Sequence, residues 1–489
     1  MISLHTIASL FPIRKEYGSI KHVEISSLSM DSREVEAGSL FFCVPGYTVD
    51  GHDYAESAVR NGAAALISDR SLEVSVPYIQ VPDVRRAMAL AAARFYEFPS
   101  MDMQLIGVTG TNGKTSVTHF IEQMLQELGS KTGMIGTMYT RYDGKQEESV
   151  NTTPESLTLQ KLFNDMRETG VKKAVMEVSS HALVSGRTHG TQFDVAVYTN
   201  LSQDHLDFHH SMEDYARAKS LLFAQLGSSY ERNKQTAAVI NADDEYSFIM
   251  EEASAAPVLL YGLSEKASIR AENLNLQPGG SSFDFCAPGV KQKIHTALPG
   301  KFSVYNVLAA AAALYGAGYK WESILPLLSG LRGVTGRFEP VLSDVPVHVI
   351  VDYAHTPDSL KNVLETISGI AEKNIYTVVG CGGNRDKAKR PLMAEEAERY
   401  SSHVYLTSDN PRLEKPGDII NDMEKGMSGA SYTVVEDRKK AIFEAVKRAS
   451  AGDVVLIAGK GHETYQEIGR ERFDFNDRLV AEEALKEWE

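Results

Sequence analysis

The sequence predicts an α/β protein of about three domains with mainly parallel sheets. Three observations support this prediction. The chain has 489 residues, which corresponds to about three domains of ordinary length. Apolar runs alternate with helical stretches from Gln104 onward, and the alternation returns after residue 340. One of these runs leads into a glycine-rich turn with the pattern of a phosphate-binding loop.

The first hundred residues are predicted to form a small α/β domain. Residues 39–44 have the composition of a strand, which Pro45-Gly46 would close. The alanine-rich residues 87–98 predict a helix, and Pro99-Ser100 predicts a linker. Asp31-Ser32-Arg33 lies on a predicted turn, where a solvated charge pair is an equally good interpretation.

Residues 106–116, Ile-Gly-Val-Thr-Gly-Thr-Asn-Gly-Lys-Thr-Ser, are the centre of the functional prediction. Apolar positions from Val117 to Leu128 recur with helical spacing, and Gly129 can end that helix. A strand, a glycine turn and a helix N-terminus form a phosphate cradle, because free N–H groups and the helix dipole attract the anion. Lys114 would contact the outer phosphates, and Thr115 or Ser116 would hold Mg²⁺.

The loop is a variant of G-x-x-x-x-G-K-[ST], because Val108 stands where the first glycine is expected. A simple glycine turn with a surface lysine is the alternative. We favour the phosphate loop because the strand, the turn, the Lys-Thr pair and the amphipathic helix occur together.

Polar residues follow the apolar runs of the central region. These runs are residues 104–108, 174–178, 193–198 and 237–240. Glu177 lies at the end of one run and His205 follows another, so both would lie near the phosphate loop and could ligate Mg²⁺. A buried, partnered acid is the alternative for Glu177, and a capping or core histidine is the alternative for His205.

The last third of the chain predicts a second cleft at strand ends. Its apolar runs are residues 347–351, 375–379, 404–406 and 454–458. Each is followed by glycine or charged residues, as in α/β domains that bind ligands there. Gly380-Cys381-Gly382-Gly383 lacks the G-x-G-x-x-G spacing, so we do not predict a nicotinamide site. Residues 330–337 are the predicted hinge.

Composition and charge exclude several classes of protein. With 43% hydrophobic and 24% charged residues, the chain is typical of soluble globular proteins. A net charge of −15 argues against nucleic-acid binding through a broad basic surface. Three scattered cysteines do not suggest a disulfide framework or a structural zinc site. We see no signal peptide or membrane span, so we expect a cytoplasmic protein, and we also expect a monomer.

Six motifs together resemble the Mur ligases of peptidoglycan synthesis over essentially the whole chain. They are residues 109–115 (TGTNGKT), 151–154 (NTTP), 177–181 (EVSSH), 204–207 (DHLD), 352–357 (DYAHTP) and 409–412 (DNPR). The resemblance implies a bacterial enzyme of three domains. Residues 1–100 would bind the UDP end of a sugar nucleotide, residues 101–337 would bind ATP, and a Rossmann-like domain, residues 338–489, would bring the incoming amino acid.

The resemblance also implies site residues. The nucleotide contacts would be Gly110, Thr111, Asn112, Gly113, Lys114, Thr115, Ser116, Asn306, Arg337 and Asp352. The UDP-muramoyl-dipeptide contacts would be Ser32, Asn151, Thr152, Thr153, Ser179 and Arg187. Lys114, Glu177, His205 and Lys219 would be catalytic, and Thr115, Glu177, His205 and a CO₂-derived carbamate on Lys219 would hold Mg²⁺. Helical spacing alone would make Lys219 a solvated surface lysine.

The implied reaction is ATP-driven amide-bond formation. The side-chain carboxylate of UDP-N-acetylmuramoyl-L-alanyl-D-glutamate would become an acyl phosphate, which an amine then attacks. Arg412 implies that this amine belongs to meso-2,6-diaminopimelate, because a guanidinium fork suits the carboxylate that lysine lacks. The implied amino-acid site is Arg385, Asp409, Asn410, Pro411, Arg412, Gly459 and Glu463.

Three alternatives stay open from the sequence. A folylpolyglutamate synthase-like ligase would use the same phosphoryl chemistry, although the leading domain and residues 409–412 argue against it. A phosphate-loop switch that reads guanine would need N-K-x-D, whereas Asn233-Lys234 is followed by Gln235-Thr236. A binding module without catalysis would not explain the polar residues at the strand ends.

Overall fold

The computed structural model of the protein describes residues 1–46, 49–227, 234–277, 279–369 and 371–488. Asn233, which entered the comparison with the guanine motif, lies outside these ranges. Over the described ranges the chain forms three α/β domains in the predicted order. The exact domain boundaries at residues 100 and 337 stay predictions.

The first domain is a small mainly parallel sheet with helices on it. Its strands are β1 (Ile2–Ser3), β2 (Lys15–Tyr17), β3 (Glu24–Ile25), β4 (Ser27–Ser29), β5 (Ser39–Phe42), β6 (Ala63–Ser68) and β7 (Tyr78–Gln80), and its helices are α1 (Leu4–Ala8), α2 (Ala55–Arg60) and α3 (Val84–Phe95). The sheet order is β2-β7-β6-β5-β4, in which only β2 pairs antiparallel. Short 3₁₀ turns span Ser32–Glu34, Gly51–Tyr54 and Pro99–Asp102.

Helix α3 differs from its predicted span of residues 87–98. The Asp83 side chain accepts a hydrogen bond from the Arg86 N–H and starts the helix early. Glu97 and Phe98 have left-handed φ values of 56° and 54°, so the helix cannot continue to residue 98. The predicted linker at Pro99-Ser100 is a buried 3₁₀ turn. The boundary between the first two domains is therefore packed.

The central domain contains the phosphate loop. Its strands are β8 (Gln104–Thr109), β9 (Thr132–Ile135), β10 (Tyr139–Tyr142), β11 (Lys145–Glu148), β12 (Lys173–Glu177), β13 (Val195–Tyr198), β14 (Ala237–Asn241), β15 (Val258–Gly262), β16 (Ile269–Gln277), β17 (Gly280–Ala287) and β18 (Val290–Thr296). Its helices are α4 (Lys114–Glu127), α5 (Ser156–Glu168), α6 (Ser180–Val184), α7 (Met212–Ala224), α8 (Ser247–Ala253), α9 (Lys301–Gly316) and α10 (Trp321–Leu328).

These strands form one sheet, of eleven strands within the described residues, in the order β11-β10-β9-β12-β8-β13-β14-β15-β16-β17-β18. The middle of the sheet is parallel, as predicted, while β10 and β11 on one side and β17 and β18 on the other run antiparallel to their neighbours. Helices α4, α9 and α10 pack on one face, and α5, α6 and α7 pack on the other. Strand β8 lies between β12 and β13, so their carboxyl ends meet beside the phosphate loop.

The last domain is a second mainly parallel sheet. Its strands are β19 (Glu339–Val341), β20 (His348–Asp352), β21 (Ile375–Val379), β22 (His403–Leu406), β23 (Tyr432–Val434), β24 (Val454–Ala458), β25 (Tyr465–Ile468) and β26 (Glu471–Asp474), and its helices are α11 (Pro357–Ser368), α12 (Lys389–Tyr400), α13 (Pro416–Glu424), α14 (Arg438–Arg448) and α15 (Asp477–Lys486). The sheet order is β19-β20-β24-β21-β22-β23, with only β19 antiparallel. Strands β25 and β26 form a separate hairpin.

No helix in the described ranges is both long enough and apolar enough to cross a bilayer.

Candidate functional site

The phosphate loop requires glycine at two positions. Gly110 has a φ of +150°, and a Cβ there would lie 1.8 Å from the Thr199 hydroxyl oxygen. Gly113 has a φ of +85° and precedes helix α4, where a Cβ would lie 2.6 Å from Asn306 Oδ1. Only glycine therefore leaves room for this backbone, and the first turn of α4 stays open to a ligand.

Lys114 is held by its own loop. Its ammonium donates to the carbonyl oxygens of Gly110 and Thr111, both at 2.9 Å. Burial lowers the pKa of Lys114, while the charge of Glu177 acts in the opposite direction. The side chain is thus folded back over the cradle in which a phosphate would lie.

Glu177 is a buried carboxylate at the end of β12, with donors on both oxygens. The Thr137 N–H donates to Oε1 at 2.9 Å, and the Thr137 hydroxyl donates to Oε2 at 2.9 Å. The Thr115 hydroxyl donates to Oε2 at 3.1 Å and accepts from Arg337 Nη2 at 3.1 Å. The partnered-acid alternative is therefore correct as a description of its contacts, although Glu177 also lines a cavity.

His205 lies in the loop after β13, with an unusual left-handed φ of +55°. Partial burial and the neighbouring His181 lower the pKa of His205 to about 3, so its imidazole is neutral at pH 7. A neutral imidazole is the form that binds a metal ion. The carboxylate of the adjacent Asp204 lies 3.9 Å from His355 Nε2 and 3.8 Å from Lys389 Nζ. Both of these residues belong to the last domain.

Lys219 is buried, and only 1% of its surface is exposed, so the surface position that helical spacing suggests is wrong. Its ammonium lies 4.3 Å from the centre of the Tyr215 ring. Burial, followed by the charge of Lys114, holds the pKa of Lys219 well below its usual value. The carboxylates of Asp204 and Asp244 attract this ammonium electrostatically and act to raise its pKa.

One cavity of about 280 Å³ joins the central and last domains, and we call it the reaction cavity. It brings together most of the predicted catalytic and amino-acid residues. From the central domain it is lined by Thr111, Asn112, Gly113, Lys114, Thr115, Thr152, Glu177, Ser179 and His205, and from the last domain by Arg385, Asp409, Asn410, Arg412, Gly459 and Glu463.

Several predicted residues do not line the reaction cavity. Thr153 is buried behind it, where its hydroxyl donates to the Glu177 carbonyl at 2.9 Å. Arg187 donates to the Thr153 carbonyl at 3.0 Å and forms an ion pair with Glu155. Ser32 in the first domain, the exposed Asn151, the buried Pro411 and Lys219 are also outside its lining.

A second cavity of about 510 Å³ adjoins the phosphate loop, and we call it the nucleotide cavity. It is lined by Asn112, Gly113, Ser116, Asn306, Arg337 and Asp352, which are predicted nucleotide contacts, and by the rings of Phe302, Tyr305 and Tyr353. The Arg337 guanidinium lies 4.4 Å from the centre of the Tyr353 ring. Burial raises the pKa of Asp352, which accepts a hydrogen bond from the Phe338 N–H at 2.6 Å.

The amino-acid side of the reaction cavity is a network of charged groups. Asn410 donates to Glu463 Oε2 at 2.8 Å and accepts from the Lys460 ammonium at 2.9 Å. Lys460 also donates to Glu463 Oε2 at 2.8 Å. Burial, followed by the charge of Asp409, raises the pKa of Glu463. At Gly459 a Cβ would lie 2.6 Å from Asp409 Oδ2, so glycine is required there.

The two predicted arginines of this side differ in their surroundings. Arg412 is half-buried, with a left-handed φ of +52°, and donates to the Gly383 carbonyl at 2.9 Å and to Glu467 Oε2 at 3.2 Å. Arg385 is exposed, and its Nη1 donates to the Asn384 carbonyl at 3.3 Å. Arg412 is therefore fixed in place, whereas Arg385 is held by one long hydrogen bond to its neighbour.

The donor set beside the phosphate loop suits Mg²⁺. Within the described part of the chain no three His, Cys, Asp or Glu side chains are grouped to hold a metal ion by themselves. Mg²⁺ bound with ATP, however, keeps several waters and needs only one or two protein oxygens besides the phosphates. The buried Glu177 carboxylate and the Thr115 hydroxyl, 3.1 Å apart, are such donors.

Comparison with known proteins agrees with this architecture. The Mur ligase middle domain matches residues 108–314, the "Mur ligase, glutamate ligase domain" matches residues 336–461, and the "Mur ligase family, catalytic domain" matches residues 24–96. The UDP-N-acetylmuramoyl-L-alanyl-D-glutamate–2,6-diaminopimelate ligase of Halalkalibacterium halodurans is 54% identical over 464 residues, 95% of each chain. The chain belongs to the Mur ligase family.

Further relatives extend this Mur ligase comparison. The enzyme with the same name from Listeria monocytogenes serotype 4b is 52% identical over 465 residues, 95% of each chain. A solved structure with that name is 34% identical, covers 99% of both chains and has a TM-score of 0.70. The MurF ligase of Thermotoga maritima in complex with ADP is 20% identical with a TM-score of 0.65, over 95% of this chain and 96% of that one, and it shows the shared fold alone.

Sequence reasoning missed several residues that shape the site of this Mur ligase. Thr137 makes two hydrogen bonds to Glu177, but it lies in a loop without a recognisable sequence motif. Tyr353 and His355 lie in the DYAHTP motif, so their position at a strand end was a signal for them. Lys389 and Lys460 are buried cations, and burial of a lysine is not visible in sequence spacing.

Proposed function

We propose that this Mur ligase joins meso-2,6-diaminopimelate to UDP-N-acetylmuramoyl-L-alanyl-D-glutamate, with ATP converted to ADP and phosphate. The observation that supports this most is the reaction cavity, because a single space of about 280 Å³ is lined by both Lys114 and Arg412. Relatives more than 50% identical over 95% of the chain are named for that reaction. We also propose that the enzyme works as a monomer in the bacterial cytoplasm, on small molecules and without nucleic acid.

In the proposed first step, an oxygen of the D-glutamate side-chain carboxylate attacks the γ-phosphorus of ATP. The bond from that phosphorus to the β–γ bridging oxygen breaks, so that an acyl phosphate and ADP form. Both reactants are anions, so catalysis depends on alignment and on positive charge. Lys114 would exchange its loop carbonyls for phosphate oxygens, and Arg337, next to Thr115, would add a second cation.

In the second step, the amine of diaminopimelate attacks the acyl carbon and inorganic phosphate leaves with the bonding electron pair. The amine loses a proton as the amide forms. Glu463 and Asp409 would bind the distal ammonium, and Arg412 and Arg385 would bind the carboxylates. The hydrogen bond that Glu463 accepts from the Lys460 ammonium supports a cation-binding role for its carboxylate.

Mg²⁺, when bound, would neutralise phosphate charge in this site. Two such ions are proposed: Thr115 would lie on the nucleotide-side ion, a carbamate on Lys219 would help to hold the second, and Glu177 and His205 would be further ligands. The buried Lys219 supports this assignment, since its lowered pKa favours the uncharged amine that reacts with CO₂. A carbamate is an anionic oxygen ligand of the kind that a hard cation prefers.

The remaining assignments follow the two cavities. ATP would occupy the nucleotide cavity, with its phosphates on Gly110 to Ser116 and with Asn306, Arg337 and Asp352 as further contacts in the same cavity. The muramoyl-dipeptide would approach past Thr152 and Ser179, which line the reaction cavity. Asn151, Thr153 and Arg187 are proposed as further contacts of this substrate although they lie outside that lining, and Ser32 would contact the UDP end in the first domain.

The test is an assay of phosphate release from ATP in which each substrate is omitted in turn. We expect turnover only when the UDP-muramoyl-dipeptide and diaminopimelate are both present, and much slower turnover when lysine replaces diaminopimelate. Hydrolysis of ATP without either substrate would instead indicate a nucleotide switch. Equal use of lysine and diaminopimelate would disprove the proposed substrate.

A further inference from the structure

The hairpin formed by β25 and β26 is attached to the turn at residues 409–412. The Arg412 N–H donates to the Glu467 carbonyl at 3.0 Å, and the Gly469 N–H donates to the Arg412 carbonyl at 2.7 Å. The Glu467 N–H donates to Asn410 Oδ1 at 2.9 Å, and the Gln466 amide donates to the Asp409 carbonyl at 2.7 Å. The hairpin thereby fixes the backbone of the turn on which the proposed amino-acid site is built.

The same hairpin orients the Arg412 side chain. Glu467 Oε2 accepts from Arg412 Nε at 3.2 Å, and the Gly383 carbonyl accepts from Nη1 at 2.9 Å. A guanidinium has five N–H donors in a fixed fork, so these contacts through Nε and Nη1 leave the donors of Nη2 for a carboxylate. Arg412 lines the reaction cavity, whereas Glu467 does not. The side chain of Glu467 therefore reaches the cavity through Arg412, while its backbone N–H supports Asn410.

We propose that Glu467 is a positioning residue that selects the amino-acid substrate by holding Arg412. This inference rests on the proposed function, in which Arg412 binds the carboxylate that distinguishes diaminopimelate from lysine. Backbone hydrogen bonds to Glu467 and Gly469 hold the left-handed φ of +52° at Arg412, so the Glu467 side chain is left to orient the guanidinium. Without Glu467 the side chain has more rotamers, and ordering them reduces the affinity for the substrate.

The first test compares Glu467→Ala and Glu467→Gln with the wild-type enzyme, with diaminopimelate and lysine as alternative substrates. For Glu467→Ala we expect the KM for diaminopimelate to rise about five- to ten-fold, while kcat, the KM for ATP and the rate with lysine change little. Glu467→Gln should have a KM for diaminopimelate close to that of the wild type, because its amide oxygen can still accept a hydrogen bond from Arg412 Nε. Glu471→Ala is the matched control, since Glu471 is an exposed carboxylate on the same hairpin.

A double-mutant cycle separates this role from a general loss of structure. In an Arg412→Ala background, the Glu467→Ala change should have no further effect on the KM for diaminopimelate. The inference is overturned if the two changes are additive, or if Glu467→Ala behaves like Glu471→Ala. A wild-type enzyme that does not use diaminopimelate would instead disprove the proposed function.

Discussion

Lys114 donates both of its recorded hydrogen bonds to carbonyls of the loop in which it lies. Carbonyl oxygens are uncharged acceptors, whereas ATP offers charged phosphate oxygens, which form stronger hydrogen bonds. The exchange needs only a small movement, because the ammonium already lies over the cradle. In the proposed mechanism the lysine would therefore be in position before the nucleotide binds.

We predict that Lys114→Ala lowers kcat about a hundred- to a thousand-fold, which is the usual effect of removing one donor to a developing charge. Thermal stability should change little, because the hydrogen bonds of the ammonium go to carbonyls of its own loop. Steady-state kinetics with both substrates would measure the effect. Lys161→Ala, on the exposed face of α5, is the control. Turnover close to wild type in Lys114→Ala would contradict the role of the loop.

Lys219 offers a second prediction, which concerns pH. A lowered pKa means that the free amine appears at a lower pH than in an exposed lysine, and carbamate formation requires the free amine. With isotope-labelled bicarbonate, a carbamate signal should therefore appear on Lys219 as pH rises, well before Lys161 is modified. The signal should disappear in Lys219→Ala together with activity. A carbamate-free enzyme that keeps full activity would refute the prediction.

Among the elements, the strand ends were the most predictable part of the molecule. Apolar runs that stop at glycine or at a charged residue predicted β8, β12, β21 and β24 to within about one residue. Since parallel strands end at a common edge, the same pattern predicted that Glu177 lies beside the phosphate loop. The structure confirms this neighbourhood, while the role of each residue stays a prediction.

Other features of the fold and site could not be predicted, for physical reasons. Strands β16 to β18 form an antiparallel extension whose outer residues are polar and exposed, so they lack the continuous apolar runs of buried strands. The burial of Lys219 depends on what packs against α7, and helical spacing contains no information about that. The contact between Thr137 and Glu177 could not be predicted either, because the two residues are 40 positions apart in the sequence.

Helix α4 allows a test of why glycine precedes it. Gly113 and Gly129 flank the helix with similar φ values of +85° and +78°, but a Cβ at Gly129 would meet nothing within 4 Å. Alanine at either position should cost about 1 kcal/mol of stability from backbone strain. Only Gly113→Ala should also raise the KM for ATP, because its Cβ displaces Asn306 in the nucleotide cavity. Equal KM values for the two variants would show that Asn306 is not needed.

At the scale of the whole molecule, the central and last domains touch through polar contacts around the two cavities. Asn112 in the phosphate loop donates to Asp358 Oδ2 at 2.9 Å, and Asp358 lies in the first turn of α11. The Asp204 carboxylate and the Lys389 ammonium form a further contact between these two domains. Because these contacts surround the proposed reactants, the arrangement of the domains and the occupancy of the site should be coupled.

We predict that Asp358→Ala weakens this coupling by about 1 kcal/mol, the usual worth of one hydrogen bond. The KM for ATP should rise about five-fold, and a non-hydrolysable ATP analogue should compact the enzyme less in small-angle X-ray scattering. Asp418→Ala is the matched control, because Asp418 occupies the first turn of α13 but is exposed. If both variants responded alike, the Asn112–Asp358 contact would have no part in the coupling between domain arrangement and site occupancy.

The two outermost strands of the central sheet, β11 and β18, affect how the chain avoids aggregation while it folds. Strand β11 exposes Lys145, Glu147 and Glu148, and strand β18 exposes Lys291 and Lys293. Charged side chains on a border strand discourage a foreign strand from adding to it. A wide sheet assembled slowly from distant segments would otherwise be a template for aggregation. These exposed charges are therefore expected to keep newly made enzyme from pairing with other copies through its border strands.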